Sequence, residues 1–357
     1  MTLQGAHALV VGGAGFVGSN LVRRLLGDGV ARVTIVDNLL SADRSNVPDD
    51  ARVSLVEASI ADDTVLAALP GDLDVVWHLA CYHGNQSSIA DPLADHANNT
   101  LTSLKLFERL KDIRGLRKVV YAAAGCAVAE KTFEETVATP EDAPVSLFHD
   151  SPYAISKLVG EMYGNYYFTR HGLPFVKARF QNVYGPGEIL GAGRWRGTPH
   201  TVWRNVTPTF VLRALHGDAL PLDNEGRNAR DFIYVDDTVE GLVACALKGA
   251  PGEAYNLASG VETTIRDLAD LIAAATGSAT THDLLAPRDW DRSGRRFGDP
   301  SKARAELGFE AHTSLAEGIA RTVAWTRASL PTIRRCMAQH AARLELPAKY
   351  LAATTHN

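Results

Sequence analysis

The chain has 357 residues, of which 46% are hydrophobic and 22% charged, and its formal net charge is −5. This composition is typical of a globular protein long enough for a principal domain and a second lobe, and the negative charge argues against nucleic acid or an anionic membrane as a general partner. No apolar run reaches the roughly 18 to 20 residues that cross a bilayer, and the first residues lack the pattern of a signal peptide. The four cysteines have neither paired nor metal-ligand spacing, so we expect a reduced, cytoplasmic protein without a metal site.

Short apolar, β-branched runs alternate with stretches of helical pattern through the first half of the chain. These runs predict buried parallel strands at His7–Val11, Val33–Val36, Val53–Val56, Val75–Leu79, Lys118–Tyr121 and Pro174–Phe180. Strands that alternate with helices form parallel sheets with helices on both faces. The sequence therefore predicts an α/β fold with a doubly wound, Rossmann-type parallel sheet.

The pattern changes after about Gly185. A stretch rich in Gly, Trp and Arg, Gly187–Asn205, has no periodicity, which is typical of a functional loop. Helices are predicted further on, at Thr263–Thr276 and Leu315–Ser329. We expect a Rossmann domain over residues 1–185 with a returning segment near 228–262, an interleaved, smaller C-terminal substrate-binding lobe over residues 186–330, and a tail over residues 331–357.

The first predicted strand runs into a glycine-rich turn, Gly12–Gly18, which reads G-x-x-G-x-x-G and leads into a helix. Such glycines let the backbone turn sharply and approach a pyrophosphate, which the amides of the helix N-terminus then bind. Asp37 closes the second strand, where a carboxylate accepts hydrogen bonds from both ribose hydroxyls and repels a 2′-phosphate. These features predict NAD as the cofactor. The residues expected to contact NAD are Gly12, Gly15, Phe16, Val17, Gly18, Asp37, Asn38, Ser59, Ile60, Leu79, Ala80, Asn99, Tyr153 and Lys157.

A Y-x-x-x-K pattern joins Tyr153 and Lys157 at the start of another predicted helix. Ser151 is a good N-cap and Pro152 a good first helical residue. The Tyr153 and Lys157 side chains then lie one turn apart on the same face. An adjacent ammonium stabilises the phenolate and lowers a phenol pKa that is ordinarily about 10. Tyr153 is therefore predicted to act as a general base on a substrate hydroxyl.

Six motifs occur in the order and spacing of one enzyme family. They are Gly12–Gly18, Asp37, Asn99 within Asn98-Asn99-Thr100, the Tyr153/Lys157 pair, Asn182-Val183-Tyr184-Gly185-Pro186 and Arg230-Asp231-Phe232-Ile233-Tyr234-Val235-Asp236-Asp237. Over about residues 5 to 325 the chain resembles the extended short-chain dehydrogenase/reductase family, and in particular its members that act on nucleotide-linked sugars with NAD. The resemblance implies that Asn182 contacts the sugar nucleotide. It also implies that the guanidinium groups of Arg230 and Arg296 bind the phosphates.

One position departs from the family pattern. The family has Ser or Thr at the end of the fifth strand, where the hydroxyl hydrogen-bonds the substrate group that is oxidised, and this chain has Ala124. Losing one hydrogen bond in an active site typically costs on the order of a hundredfold in rate. Either another group takes the place of that hydroxyl, or the oxidation is slow, or the protein no longer performs it.

The segment that starts at Ala124 narrows the reaction class. The 4,6-dehydratases of the family have Thr-Asp-Glu here and the decarboxylases have a glutamate at the third position, whereas this chain has Ala124-Gly125-Cys126. The segment instead resembles that of the GDP-mannose 3,5-epimerases, which have a cysteine at this third position and a glutamate four residues later, here Glu130. A thiol with a pKa of about 8 to 9, lowered by a neighbouring cation, can carry protons beside a C4 ketone. Cys126 is therefore predicted to be catalytic.

The second proton carrier of such an epimerase is less evident. The resemblance places it in a Trp-Lys-Gly stretch, and Trp195-Arg196-Gly197 is similar but has arginine, which stays protonated and is a poor proton donor. His83, close to the end of the fourth strand, is an alternative candidate. The residues predicted to bind the nucleotide sugar are His83, Ala124, Asn182, Arg196, Arg230 and Arg296.

The resemblance implies an NAD-dependent epimerase that oxidises C4 of a nucleotide sugar transiently, and a GDP-mannose 3,5-epimerase-like activity is the leading specific hypothesis. The alternatives are a C4 epimerase or C4 dehydrogenase of a UDP-, GDP- or ADP-linked sugar, and a catalytically silent NAD-sensing protein, which only Ala124 favours. The resemblance also implies a homodimer that pairs helices near Thr100–Asp112 and Pro152–His171. The apolar residues expected at that contact are Leu104, Phe107, Leu158 and Met162.

Overall fold

The computed structural model describes residues 2–128, 134, 136–279, 281–291 and 294–351. In chain order its strands are β1 (His7–Val11), β2 (Arg32–Val36), β3 (Val53–Val56), β4 (Val75–His78), β5 (Lys118–Ala124), β6 (Phe175–Phe180), β7 (Asn182–Tyr184), β8 (Leu220–Asp223), β9 (Ala229–Tyr234), β10 (Ala254–Leu257), β11 (Glu262–Thr264) and β12 (His282–Leu285). Its α-helices are α1 (Phe16–Gly27), α2 (Asp63–Ala67), α3 (Asn85–Ala90), α4 (Pro92–Asp95), α5 (Leu101–Leu110), α6 (Pro152–His171), α7 (Val206–Leu215), α8 (Val235–Lys248), α9 (Ile265–Thr276) and α10 (Leu315–Ala338). Within these described ranges, every helix is too short or too polar to span a bilayer.

The main sheet has seven strands in the order β10-β6-β5-β4-β1-β2-β3, and each neighbouring pair is parallel. The chain proceeds from β1 to β3 in one direction and from β4 to β6 in the other, so the winding reverses between β1 and β4. In open α/β sheets, ligands bind in the crevice that such a reversal leaves at the carboxyl ends of the strands. The predicted α/β fold with a doubly wound, Rossmann-type sheet is confirmed.

Helices cover both faces of the main sheet, which explains why its strands are continuously apolar. Trp77 of β4 and Tyr121 of β5 are 0% and 1% exposed and point into opposite halves of the core. On one face, Leu21 of α1 and Leu242 of α8 pack on the strands. On the other face, Phe107 of α5 is completely buried. Packing on both faces holds the strand ends in fixed positions, and those ends carry the predicted site.

A smaller lobe is built on the three-stranded sheet β11-β9-β7. Phe210 of α7, Ile272 of α9 and Ile319 of α10 form one core with Phe232 and Tyr234 of β9. The lobe is interleaved with the main sheet, because β9 and β11 belong to the lobe while β10, which lies between them in the chain, is the edge strand of the main sheet. The segment near 228–262 therefore contributes to both sheets.

Helix α10 continues beyond the predicted end at Ser329 and runs through Pro331 to Ala338. Proline usually ends a helix, because it has no N–H group and its ring meets the preceding turn. Here the residues after Pro331 are held by packing, since Ile333 and Met337 are buried against Ile189 and its neighbours. The predicted tail is thus partly an extension of α10 that packs on the segment after β7.

Candidate active site

A cavity of about 620 Å³ opens at the carboxyl ends of the main-sheet strands, at the reversal between β1 and β4. Its walls include residues that directly follow or end four strands, namely Gly12 after β1, Asp37 after β2, Leu79 after β4 and Ala124 at the end of β5. The opposite wall comes from the smaller lobe. One continuous cavity therefore joins the predicted cofactor site to the predicted substrate site.

The glycine turn packs so tightly against neighbouring backbone that two of its positions leave no room for a side chain. Gly12 has φ +87°, and a Cβ atom there would lie 2.5 Å from the backbone nitrogen of Ala80. At Gly18 a Cβ atom would overlap the carbonyl oxygen of Gly12. Helix α1 begins at Phe16, and its N-cap, Gly15, has no side chain to cap the first amides. Free amides and the positive end of the helix dipole fit a pyrophosphate such as that of NAD.

Asp37 directly follows β2 and lines the cavity, and backbone amides hold its carboxylate. One carboxylate oxygen accepts a hydrogen bond from the amide of Ala14 at 3.0 Å, and the other accepts one from the amide of Leu39 at 2.9 Å. Burial raises the pKa of Asp37, and the amide donors oppose that rise. Asp37 and the adjacent Asn38 both line the cavity, and the contact of Asp37 with the ribose of NAD stays a prediction.

Most of the predicted NAD contacts line this cavity, and three do not. The lining residues are Gly12, Gly15, Phe16, Val17, Gly18, Asp37, Asn38, Leu79, Ala80, Tyr153 and Lys157. Ser59 lies outside the cavity lining and accepts a hydrogen bond from the amide of Ala61 at 3.2 Å, and Ile60 lies in the core below the sheet edge. Asn99 is buried, and its side-chain oxygen accepts a hydrogen bond from the amide of Tyr82 at 2.6 Å. Asn99 therefore fixes the turn after β4 from behind.

Tyr153 and Lys157 lie together on the first turns of α6. The hydroxyl of Ser151 accepts a hydrogen bond from the amide of Ala154 and caps the helix, as the sequence predicts. The Lys157 ammonium lies 5.9 Å from the centroid of the Tyr153 ring and donates a hydrogen bond to the carbonyl of Ala122 at 2.8 Å. The buried ammonium is thus fixed beside the phenol, which is the arrangement that stabilises a phenolate.

The end of β5 offers little polar chemistry to the cavity. Ala122, Ala123 and Ala124 all line it. The backbone at Gly125 is covered by the side chain of Gln181, which occupies the space that a Cβ atom would need. The backbone of Cys126 lies in a short 3₁₀ turn, but the structure does not describe its side chain. Glu130 also lies outside the described residues. The catalytic role of Cys126 therefore stays a prediction.

His83 lies opposite, on the segment between β4 and α3, and it lines the cavity. Its ring packs edge-on against the ring of Tyr153, with centroids 6.0 Å apart and an interplanar angle of 72°. Burial, together with the positive charges of Arg196, Arg204 and Lys157, lowers the pKa of His83 to about 3. The imidazole beside the predicted base is therefore uncharged at neutral pH.

Arg196 is buried behind His83 and does not line the cavity. Its Nη1 donates a hydrogen bond to the carbonyl of His83 at 2.7 Å, and its guanidinium lies 5.5 Å from the centroid of the Tyr82 ring. Its backbone amide donates to the hydroxyl of Thr201 at 2.9 Å. Arg196, predicted as a substrate contact, is thus placed to hold the loop that carries His83.

The far end of the cavity contains the predicted phosphate-binding arginines. Arg230 Nη2 pairs with Asp291 Oδ2 at 2.8 Å, and its Nη1 donates to the carbonyl of Gly294 at 2.7 Å. Burial is the main cause that lowers the pKa of Arg230, to about 9. Arg296 and Asn182 line the same cavity. The structure therefore brings Asn182, Arg230 and Arg296 to one cavity and gives Arg230 an acidic partner, while their contacts with the substrate stay predictions.

Sequence reasoning missed a further group of cavity-lining residues. They come from the junction of β6 and β7, from the segments around α7, β8 and β9 and from the loop that ends at Asp291. They include Gln181, Arg204, Asn205, Val206, Phe210, Asn228, Phe232, Arg288, Trp290 and Asp291. Arg288 pairs with Asp223, and its guanidinium lies 5.8 Å from the ring centroid of Trp290. The signal that could have found part of this group is Trp290, an aromatic residue flanked by charges in a loop without periodicity, since binding residues are frequent in such loops.

The glycine turn, the buried acid after β2 and the Tyr153/Lys157 pair in one cavity fit a dinucleotide-dependent enzyme. A sequence profile of the NAD dependent epimerase/dehydratase family matches residues 8–258, which is more than half of the chain, and the chain belongs to that family. The prediction of NAD as cofactor is thereby confirmed, as is the predicted kinship with the NAD-dependent epimerases and dehydratases of sugar nucleotides.

Three relatives illustrate the range of that family. The UDP-glucose 4-epimerase of Mycolicibacterium smegmatis is 34% identical over 328 residues, which cover 90% of this chain and 98% of that enzyme. The dTDP-glucose 4,6-dehydratase of Streptomyces antibioticus is 33% identical over 341 residues, with 90% and 92% covered. The Bordetella bronchiseptica enzyme WbmF, solved with NAD+ and UDP, is 56% identical with a TM-score of 0.86, and the match covers 96% of this chain and 98% of that chain.

Proposed function

We propose that the protein is an NAD-dependent C4 epimerase of a UDP-linked sugar. The observation that carries this proposal is the single cavity in which the glycine turn, the Tyr153/Lys157 pair and the arginines of the smaller lobe meet. The UDP-glucose 4-epimerase relative favours the C4 reaction, and the UDP in the WbmF structure favours the uridine nucleotide over the GDP of the leading sequence hypothesis.

The residues at the end of β5 separate epimerase from dehydratase. A 4,6-dehydratase needs side chains that take a proton from C5 and protonate the leaving hydroxyl at C6. Ala124 and Gly125 supply none, although a dehydratase is among the relatives. A C4 epimerase needs no such groups, because it only has to oxidise C4, turn the keto sugar over and reduce it from the other face. Ala122, Ala123 and Ala124 line the cavity with small side chains, which would leave room for that rotation.

The chain's own residues perform the acid–base part of this reaction. Tyr153, as phenolate, takes the proton of the C4 hydroxyl and returns it when the ketone is reduced. Lys157 stabilises the phenolate, because its ammonium is fixed near the ring by the carbonyl of Ala122. Gly12–Gly18 and Asp37 would hold NAD, which when bound would supply the acceptor and donor of the C4 hydride. Arg230 and Arg288 retain the nucleotide at the far end while the sugar rotates.

The test is to incubate the purified protein with UDP-glucose, UDP-galactose and a panel of other nucleotide sugars in deuterated water. The expected product is inverted at C4 and carries no deuterium at carbon. Deuterium at C3 or C5 would instead support the 3,5-epimerase hypothesis that rests on Cys126 and Glu130. Net loss of water would indicate a dehydratase. Tyr153→Phe is the control, and it is expected to lose at least a hundredfold in rate.

We further propose that the protein is a homodimer formed through α5 and α6 of two copies. Of the residues predicted at that contact, Phe107 and Leu158 are buried within the subunit and Leu104 is half-buried, whereas Met162 is 54% exposed. Other apolar side chains share the exposed faces of these helices. They are Leu101, Ile155 and Tyr166, which are 38%, 49% and 52% exposed.

A second copy that places the same faces against each other would bury this surface by two-fold symmetry. Light scattering is expected to give twice the subunit mass of 38.4 kDa at micromolar concentration. Met162→Glu and Ile155→Glu together should shift the protein towards the single-subunit mass without loss of NAD binding. A wild-type mass near 38.4 kDa would contradict the proposal.

A further inference from the structure

The cavity lacks a side-chain hydrogen-bonding group at the position where the family has a serine or threonine. Ala124 is 6% exposed, lines the cavity and has only a methyl group to offer. On the segment between β4 and α3, His83 lines the same cavity and packs edge-on against Tyr153, with ring centroids 6.0 Å apart. We propose that His83 replaces the missing hydroxyl and hydrogen-bonds the C4 oxygen of the sugar beside Tyr153. This inference rests on the proposed oxidation at C4.

The backbone around His83 is fixed on both sides. The amide of Tyr82 donates to the side chain of Asn99 at 2.6 Å, and the carbonyl of His83 accepts from Arg196 at 2.7 Å. Gly84, which follows, has φ +106°, a conformation that redirects the chain into α3 and that other residues rarely adopt. Pinning a loop in this way fixes the direction of its side chain, which a residue that positions a substrate oxygen needs.

The ring nitrogens of His83 are available to a ligand. Within the described residues, they have no hydrogen-bond partner on the protein, and the ring faces the cavity. The charged groups that act on the ring are the cations Arg196, Arg204 and Lys157, and together with burial they keep it neutral. A neutral imidazole has one N–H donor and one acceptor nitrogen. Its N–H can thus donate to the C4 oxygen both before and after the hydroxyl proton passes to Tyr153.

The proposed role leaves the proton balance of the reaction unchanged. The C4 hydroxyl proton passes to Tyr153, and His83 keeps its own proton throughout. As the C4 oxygen becomes a carbonyl, the imidazole N–H donates to it and stabilises the developing partial charge, as a preorganised donor does in other carbonyl reactions. His83 therefore contributes a hydrogen bond rather than a second proton transfer.

The kinetic test compares His83→Ala, Ala124→Ser and the double variant with the wild type. His83→Ala is expected to lower kcat by roughly a hundredfold. Adding Ala124→Ser restores a hydroxyl from the opposite wall and should recover at least about tenfold of that loss. His312→Ala, which removes a histidine outside the cavity, is the matched control and should not change kcat. A His83→Ala variant with wild-type kcat, or a loss that Ala124→Ser leaves unchanged, would overturn the proposal.

A second readout does not depend on turnover. If His83 contacts the sugar, His83→Ala should weaken binding of UDP-glucose by roughly tenfold in calorimetry and leave binding of UDP itself unchanged. His83→Gln, which keeps a neutral donor, should weaken UDP-glucose binding less. An unchanged ratio of the two affinities in His83→Ala would refute the contact. Absence of turnover by the wild type on every nucleotide sugar would refute the proposed function, while this ratio still decides the role of His83.

Discussion

The two halves of the cavity are built in different ways. The cofactor half consists of turns at the ends of regular elements, such as Gly12 after β1, Asp37 after β2 and Leu79 after β4. The substrate half consists of long side chains from distant segments, among them Arg204 and Arg230. A turn at a strand end depends on a few consecutive residues, whereas converging side chains depend on the whole tertiary fold. The cofactor half is therefore visible in the sequence, and much of the substrate half is not.

The comparison implies that charged side chains of the substrate half contribute to both binding and stability. The Arg230 and Asp291 side chains are 11% and 4% exposed and are paired at 2.8 Å. Breaking one partner of a buried ion pair costs roughly 3 to 5 kcal/mol. We expect Arg230→Ala to lower the thermal unfolding temperature clearly and to weaken UDP binding, as measured by calorimetry on the same preparations.

Arg288 provides the matched control, because it lines the same cavity but its side chain is 41% exposed. Its pair with Asp223 is partly solvated, and such pairs contribute about 0 to 1 kcal/mol. Arg288→Ala should weaken UDP binding by roughly tenfold while the unfolding temperature changes little. If both variants lower the unfolding temperature equally, burial of the Arg230 pair is not what stabilises this half.

The cofactor half should instead be sensitive to single methyl groups on its backbone. Gly18 and Gly27 both lie in α1, and alanine at either position favours the helix. At Gly18 the added methyl would overlap the carbonyl of Gly12, whereas at Gly27 it meets no atom within 4 Å. Overpacking of this kind costs roughly 1 to 3 kcal/mol, which corresponds to about a five- to two-hundredfold loss in affinity if the strain falls on the bound state.

We therefore expect Gly18→Ala to bind NAD at least about fivefold more weakly than Gly27→Ala. Calorimetry, together with the NAD content of the denatured protein, measures the difference. Equal affinities would mean that the glycine turn tolerates a side chain, and the cofactor half would then be less dependent on its backbone than the structure indicates.

Some elements end at other residues than predicted, because contacts with distant segments of the chain decide where they end. Strand β5 was expected to end at Tyr121, yet it continues to Ala124, because Ala122–Ala124 pair in register with Ala178–Phe180 of β6. Alanine has a low preference for strands, so only the neighbouring strand could reveal the extension. Helix α10 passes Pro331 for a similar reason, since its later residues are held by contacts with a segment far away in the chain.

The sequence also did not predict the position of Arg196. The Trp195-Arg196-Gly197 pattern led to the expectation of a substrate contact. In the structure Arg196 lies behind His83, outside the cavity lining, and donates a hydrogen bond to the His83 carbonyl. A loop without periodicity gives no indication of which side of a cavity its arginine will reach. By contrast, Tyr153 and Lys157 were placed correctly relative to each other because helical spacing alone decides that they are neighbours.

The smallest expected effect concerns the charge on His83, which Arg196 influences. The pKa of His83 is lowered to about 3 by burial and by Arg196, Arg204 and Lys157. Arg196→Met removes the first of these cations, so the pKa of His83 should rise towards its ordinary value of about 6.5. A protonated imidazole still has an N–H donor, but it adds a positive charge near Lys157. The acid limb of the kcat/KM profile is therefore expected to move to higher pH in Arg196→Met, while activity above neutral pH falls less.

The sign of this shift distinguishes an electrostatic role of Arg196 from a purely structural one. Loss of the hydrogen bond to the His83 carbonyl would lower activity at every pH, because the loop is held less firmly, but it would not move the acid limb. The control is Arg196→Met combined with His83→Ala, in which no imidazole titrates at this position and the limb should return to that of His83→Ala alone. A limb that moves equally in the presence and absence of His83 would show that another group titrates. In that case the influence of Arg196 on the substrate half would not depend on His83.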